Sequence, residues 1–119
     1  MPFTPAEWSR GKAEVIGILQ ARARERGMIT YSELSRQLQS IVLPYDDPAM
    51  AAMLDEISTD EFKAGRGMLS VVVVHKYGDM EPGVGFFKLA DSLGRNVADK
   101  TTFWVNELHT VHGYWSNRQ

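Results

Sequence analysis

The chain has 119 residues, 44% of them hydrophobic and 24% charged, which is apolar surface enough for one packed domain and argues against disorder. It contains no cysteine, which excludes disulfides, thiolate metal sites and cysteine nucleophiles together. No apolar run approaches the ~20 residues of a membrane span and no signal-peptide pattern opens the chain, so a soluble, cytoplasmic domain with no membrane partner is expected.

The first helix is signalled by Thr4 as cap, Pro5 at the first position and Glu7 completing a capping box. Trp8, Val15, Leu19 and Ala23 fall on one face of it. Arg22, Arg24 and Arg26 crowd its end, where positive charge suits the helix dipole, and Gly27 is placed to stop it. Thr30 and Glu33 form a second capping box, with Tyr31, Leu34 and Leu38 as the apolar face of a short helix ending near Gln39. After a loop containing Pro44, Asp46 or Asp47 caps a third helix, whose buried stripe is Met50, Met53, Leu54 and Ile57.

The pattern then changes. Met68 to Val74 is a β-branched run bounded by Gly67 and reads as a strand. Tyr77 to Gly83 is dense in turn formers. Gly83 and Gly85 bracket Val84 ahead of Phe86 and Phe87, so strained backbone is expected at both glycines. Phe86 to Leu93 reads as a strand end or a helix. A last helix runs from about Lys100 to Trp115, capped by Asp99, with Trp104, Leu108, Val111 and Trp115 as its apolar stripe.

This order predicts a single domain over residues 1–119 of α/β (α+β) class. Three N-terminal helices, a short sheet with a glycine-rich hairpin and a C-terminal helix make the order of a winged helix-turn-helix. Ile29-Thr30-Tyr31-Ser32-Glu33-Leu34 looks like the "VSYGELA" entry of the winged-helix domain in alkylguanine-DNA alkyltransferases and their alkyltransferase-like relatives. Val73-Val74-His75-Lys76 stands where that family has Pro-Cys-His-Arg. Gly83-Val84-Gly85-Phe86-Phe87 is similar to its "GGYxGG" turn, and Trp104 to Glu107 to its "K-x-x-L-L-x-x-E" helix. The resemblance covers residues 29–112.

It implies a DNA-associated domain in which Tyr31 stands near the target phosphate, His75 is the proton-relaying histidine and Glu107 the carboxylate behind it. The departures are chemical. Val74 occupies the place of the alkyl-accepting cysteine, so transfer to sulfur is excluded, as in the alkyltransferase-like proteins. The segment Pro48 to Ile57 has no arginine to enter a base stack and carries Asp55 and Glu56, which phosphates would repel.

Charge is unevenly distributed. Residues 41–60 hold five acidic side chains and no basic one, against an overall net charge of −2. Phosphate contact therefore falls to Arg22, Arg24, Arg26, Arg36, Arg66 or Lys76. His109 and His112 lack a third ligand at metal spacing. Gly83-Val84-Gly85 lacks the lysine and hydroxyl of a phosphate loop, and Ser70 has no elbow motif around it. No metal, cofactor or catalytic residue is expected.

The expectation is a non-catalytic binding domain, with DNA as partner, or alternatively a protein-interaction module using the acidic 41–60 surface. A small enzyme with His75 and Glu107 as an acid–base pair is a third reading. The candidate binding residues are Tyr31, Arg36, Arg66, His75, Lys76, Gly83, Gly85 and Glu107. Arg66 is expected to tie the hairpin to a carboxylate such as Glu107.

Overall fold

Thr4 opens the first helix, α1 (Pro5–Arg24), as its sequence requires. Its hydroxyl accepts the Glu7 N–H at 3.1 Å, and the Glu7 carboxylate accepts the Thr4 N–H at 3.0 Å. The computed structural model describes residues 3–75 and 82–117. At the far end of α1 the left-handed residue is Arg26 (φ 55°) rather than Gly27, whose N–H returns to the Arg22 carbonyl at 2.8 Å.

After α1 come strand β1 (Ile29–Thr30) and helices α2 (Tyr31–Gln37) and α3 (Pro48–Lys63). A 3-10 turn (Leu69–Val72) then leads into strand β2 (Val73–Val74), followed by α4 (Val84–Ser92) and α5 (Lys100–Ser116). Asp47 caps α3 through the Ala49 N–H at 2.8 Å, and Asp99 caps α5 through the Thr102 N–H at 3.0 Å. Thr30 caps α2, but the second capping box is only half made: the Glu33 carboxylate turns away to Arg22 and Gln37.

The expected winged helix-turn-helix of α/β (α+β) class is overturned. The described residues are mostly helical, and the sheet they contain has two strands of two residues each, paired in parallel as Ile29 with Val73 and Thr30 with Val74. A parallel pair needs a long crossover, here α2, α3 and the 3-10 turn, whereas a wing would need an antiparallel hairpin. The valine run does not form one long strand because it threads the middle of the molecule. Met68, Leu69 and Val71 to Val74 are all fully buried, enclosed by α1, α3 and α5. What β-branched residues seek is burial on a packed surface. Helices supply that here, and only the last two valines meet a strand. Of the two readings of Phe86 to Leu93, a strand end or a helix, the structure takes the helix: Phe86 and Phe87 lie inside α4 and enter the core.

The core is otherwise built as the periodicity demands. Val15, Leu19 and Ala23 of α1 meet Met50, Met53, Leu54 and Ile57 of α3 around the buried valines. In α5 the buried face differs from the expected one: Phe103, Glu107, Val111 and Trp115 point inward, and Trp104 and Leu108 are half-buried beside them. A four-residue spacing around a carboxylate replaces the all-apolar stripe because Glu107 finds polar partners inside.

His112, also buried on α5, places Nε2 2.9 Å from the Gly27 carbonyl, so the nitrogen that could ligate a metal is already committed. Burial holds its pKa below the ordinary value; Arg26 and His109 act in the same direction, and the bond to Gly27 opposes them. The folded state then binds fewer protons than the unfolded state just below the ordinary imidazole pKa of about 6.5. Its contribution is complete above that value and is lost as pH falls towards the lowered folded pKa. Thermal unfolding followed between pH 7 and pH 5 is expected to show a falling midpoint in that window, with a shallower slope in His112→Gln. Equal slopes would remove His112 as the cause.

Candidate functional site

The parallel register builds the site. Thr30 pairs with Val74, so the next residue on each strand, Tyr31 and His75, emerges side by side. Their rings lie 4.9 Å apart, close to the spacing of neighbouring strands. Tyr31 Oη accepts the Gly83 N–H at 3.2 Å, which brings the start of α4 onto the pair. A side chain at Gly83 would put its Cβ 3.1 Å from His75 Nε2 and 3.2 Å from Tyr31 Oη. Glycine is therefore used there for close approach; its φ of −71° is ordinary.

These residues close one end of a cavity of about 260 Å³ between α2, α3 and α4, also lined by Tyr45, Asp46, Leu54, Asp55, Ser70 and Phe86. Its floor is fixed by two serines: Ser58 donates to Ser70 Oγ at 2.6 Å, and the Ser70 N–H donates to Ser58 Oγ at 2.9 Å. Its mouth carries two exposed apolar side chains, Tyr45 at 57% and Val84 at 63% exposure. Burial raises the pKa of the Tyr31 phenol, the Gly83 N–H acts against that shift, and the nearby Asp55 charge adds to it. Burial likewise raises Asp55.

Of the expected site residues, Tyr31, His75, Gly83 and Gly85 line this cavity, whereas Arg36, Arg66 and Glu107 do not. Arg36 is exposed in the last turn of α2. Arg66 pairs with Glu61, five residues earlier on α3, and not with Glu107, so the expected tie of a hairpin to that carboxylate is not made. Glu107 lies on the buried face of α5, where Oε1 accepts from Arg95 at 2.7 Å and Oε2 accepts the Met68 N–H at 2.8 Å. No hydrogen bond joins it to His75 among the described residues, so the acid–base pair does not form. Lys76 and the turn before Pro82 lie outside the described residues.

The sequence reading passed over Tyr45 and Ser70 as site members and took Asp55 as a charge that repels phosphate and as part of the acidic 41–60 surface. The signal for Asp55 was its place beside Leu54, at the edge of the apolar stripe of α3, where a charged group is half-buried.

Strain is the expectation at Gly83 and Gly85, but among the described residues the left-handed glycines are Gly65, Gly67 and Gly94. Gly85 sits in the first turn of α4, and a Cβ there meets nothing within 4 Å. Gly85→Ala is therefore expected to raise stability by up to about 1 kcal/mol through helix propensity. A lower unfolding midpoint in urea would contradict the open space at this position.

Among the described residues no group of three or more histidines or carboxylates is placed to hold a metal, and no helix is long and apolar enough to cross a membrane. Compared with protein-family models, with curated proteins and with solved structures, the chain matches none.

Proposed function

We propose that the protein is a small, non-catalytic binding domain of the cytoplasm that receives a side chain of a protein partner in the cleft between α2, α3 and α4. The observation that carries this reading is the lining of the cleft: carboxylates of Asp46 and Asp55 beside the tilted ring pair of Tyr31 and His75, under a mouth formed by exposed Tyr45 and Val84. Exposed aromatic and aliphatic groups around a polar recess suit a protein surface. The cysteine-free chain fits a reducing compartment.

The disposition of positive charge also supports a protein partner over a phosphate backbone. Arg22 is held by Glu33 and the Met28 carbonyl, Arg66 by Glu61 and Arg95 by Glu107, while Arg24 lies over the Trp115 ring. Phosphates approaching the cleft meet Asp46 and Asp55 instead.

One observation favours a nucleic-acid partner as a second reading. Tyr31 and His75, two of the three residues matched to the alkyltransferase-like motifs, lie together, and a flat base could lie against such a pair. Titration of labelled duplex and single-stranded DNA at about 50 and 200 mM salt separates the two readings. No binding at the lower salt is the expected result. Binding that weakens steeply with salt and perturbs the resonances of Tyr31 and His75 would overturn the protein-partner reading.

A further inference from the structure

Three acidic side chains of α3 reach the surface, Asp55, Glu56 and Asp60, of which Asp55 lines the cleft and the other two are spoken for. Lys12 of α1 reaches Glu56 at 3.3 Å and Asp60 at 2.9 Å. Asp55 is different: half-buried at the cavity wall, it makes no hydrogen bond or ion pair among the described residues. An ionised carboxylate has about four acceptor positions, and one partly withdrawn from water gains most from a donor that fills several together. The wall that faces it is aromatic, with Tyr31, His75, Tyr45 and Phe86 on the same cavity.

The candidate occupants differ in how they meet this pair of features. Anions are repelled by Asp46 and Asp55. A neutral ring satisfies the aromatic wall and leaves Asp55 without a donor. A lysine ammonium can approach an aromatic face, but as a compact, strongly hydrated point it loses more water there and gives a carboxylate no parallel pair of hydrogen bonds. An arginine guanidinium is planar, weakly hydrated, able to lie on an aromatic face and able to give a carboxylate two parallel hydrogen bonds. A cavity of about 260 Å³ has room for one side chain and not for a helix.

We infer that the cleft is a receptor for a single arginine side chain of a partner protein, with Asp55 as its counter-ion and the Tyr31–His75 pair as part of the wall against which the guanidinium lies. The inference rests on the reading of this cleft as a partner site and adds the chemistry that the site selects. Tyr45 and Val84 at the mouth then contact the residues flanking that arginine, and Asp46 adds a second negative charge at the entrance.

The test is an NMR titration of the full chain with three end-blocked pentapeptides that place arginine, lysine or citrulline between glycines. Citrulline keeps the shape of arginine and removes its charge. The arginine peptide is expected to give saturable shifts at Tyr31, Asp55 and Gly83. The lysine peptide should bind about tenfold more weakly, and the citrulline peptide should give no saturable shift. Asp55→Asn should weaken the arginine peptide by about tenfold or more while leaving resonances remote from the cleft in place.

Equal binding of arginine and citrulline, or of arginine and lysine, would overturn the inference and leave the cleft standing as a partner site. Unchanged binding to Asp55→Asn would do the same. Absence of any cleft response to all three peptides would overturn the inference and the partner reading together. The comparison among peptides needs no variant, so it holds even if Asp55→Asn fails to fold.

Discussion

Glu107→Ala is expected to lower the free energy of unfolding by about 3 kcal/mol or more, the range for breaking a buried ion pair by removing one partner. Glu107 is only 2% exposed and does two jobs with two oxygens. Oε2 accepts the N–H of Met68 at the entrance to the buried 3-10 turn, so its loss leaves a backbone donor unpaired in the interior, itself worth about 1–3 kcal/mol. Oε1 holds Arg95, whose guanidinium lies 4.9 Å from the Phe62 ring and 5.0 Å from the Phe103 ring. That guanidinium has one nitrogen, Nη1, buried without a hydrogen bond among the described residues. Removing the carboxylate strands the cation between two rings. Because the Arg95 side chain remains 28% exposed, water softens this part of the cost, which places the expectation at the lower end of the range.

Glu107→Gln separates the two jobs. It keeps an acceptor for Met68 and the shape of the side chain while removing the charge that faces Arg95, so an intermediate loss is expected. Urea unfolding of the two variants, and of Arg95→Met alone and combined with Glu107→Gln, gives the coupling between the partners. A loss below about 1 kcal/mol for Glu107→Ala would mean that neither bond contributes as the geometry implies.

The same residue marks the boundary of what could be read from sequence. Caps at Thr4, Asp47 and Asp99 were legible because a cap is a local event, settled within three residues. The methionine-rich stripe of α3 was legible for the same reason, since one helix face repeats every three or four residues. In α5 the expected Val111 and Trp115 are buried, but the first half of the face was misread by one position, because an all-apolar stripe through Trp104 and Leu108 looks better than one through Phe103 and Glu107. The interior has a use for that carboxylate, and its partner Arg95 lies twelve residues away on a loop. A charged residue spaced by four between Phe103 and Val111 was the available sign that the core holds a cation as well.

The candidate site divides along the same line. Tyr31 and His75 were each singled out through a resemblance, but that resemblance set Glu107 and not Tyr31 beside His75; 44 residues separate the two rings and no periodicity joins them. Their meeting depends on a two-residue parallel pairing, which is too short to leave a pattern in the sequence. Asp55 becomes distinctive only once Lys12 is seen to take its neighbours Glu56 and Asp60. Which of the five acidic residues in one segment stay unpaired, and that Asp55 alone of those is half-buried, are tertiary facts.

Gly67→Ala is expected to cost about 2–5 kcal/mol, from two sources that add. Gly67 holds a φ of 89°, a backbone conformation that residues with a Cβ rarely adopt. It also lies under α5, where a Cβ would stand 2.9 Å from Val111 Cγ2, 3.3 Å from Thr110 Cγ2 and 3.4 Å from Glu107 Oε2. Val111 is fully buried and has little room to give, and pushing Glu107 disturbs the bond to Met68 in the next residue along. Gly65, two residues earlier, is the internal control: its φ is 81°, yet a Cβ there meets nothing within 4 Å. Gly65→Ala should therefore show the backbone cost alone, about 1–2 kcal/mol. The difference between the two variants measures the steric part at Gly67. The turn they form is what carries the chain from the end of α3, where Arg66 grips Glu61, into the buried 3-10 turn and on to β2 and His75. Equal losses for the two glycines in urea unfolding would show that α5 yields freely over Gly67 and that the approach of Glu107 to this turn is not a tight one.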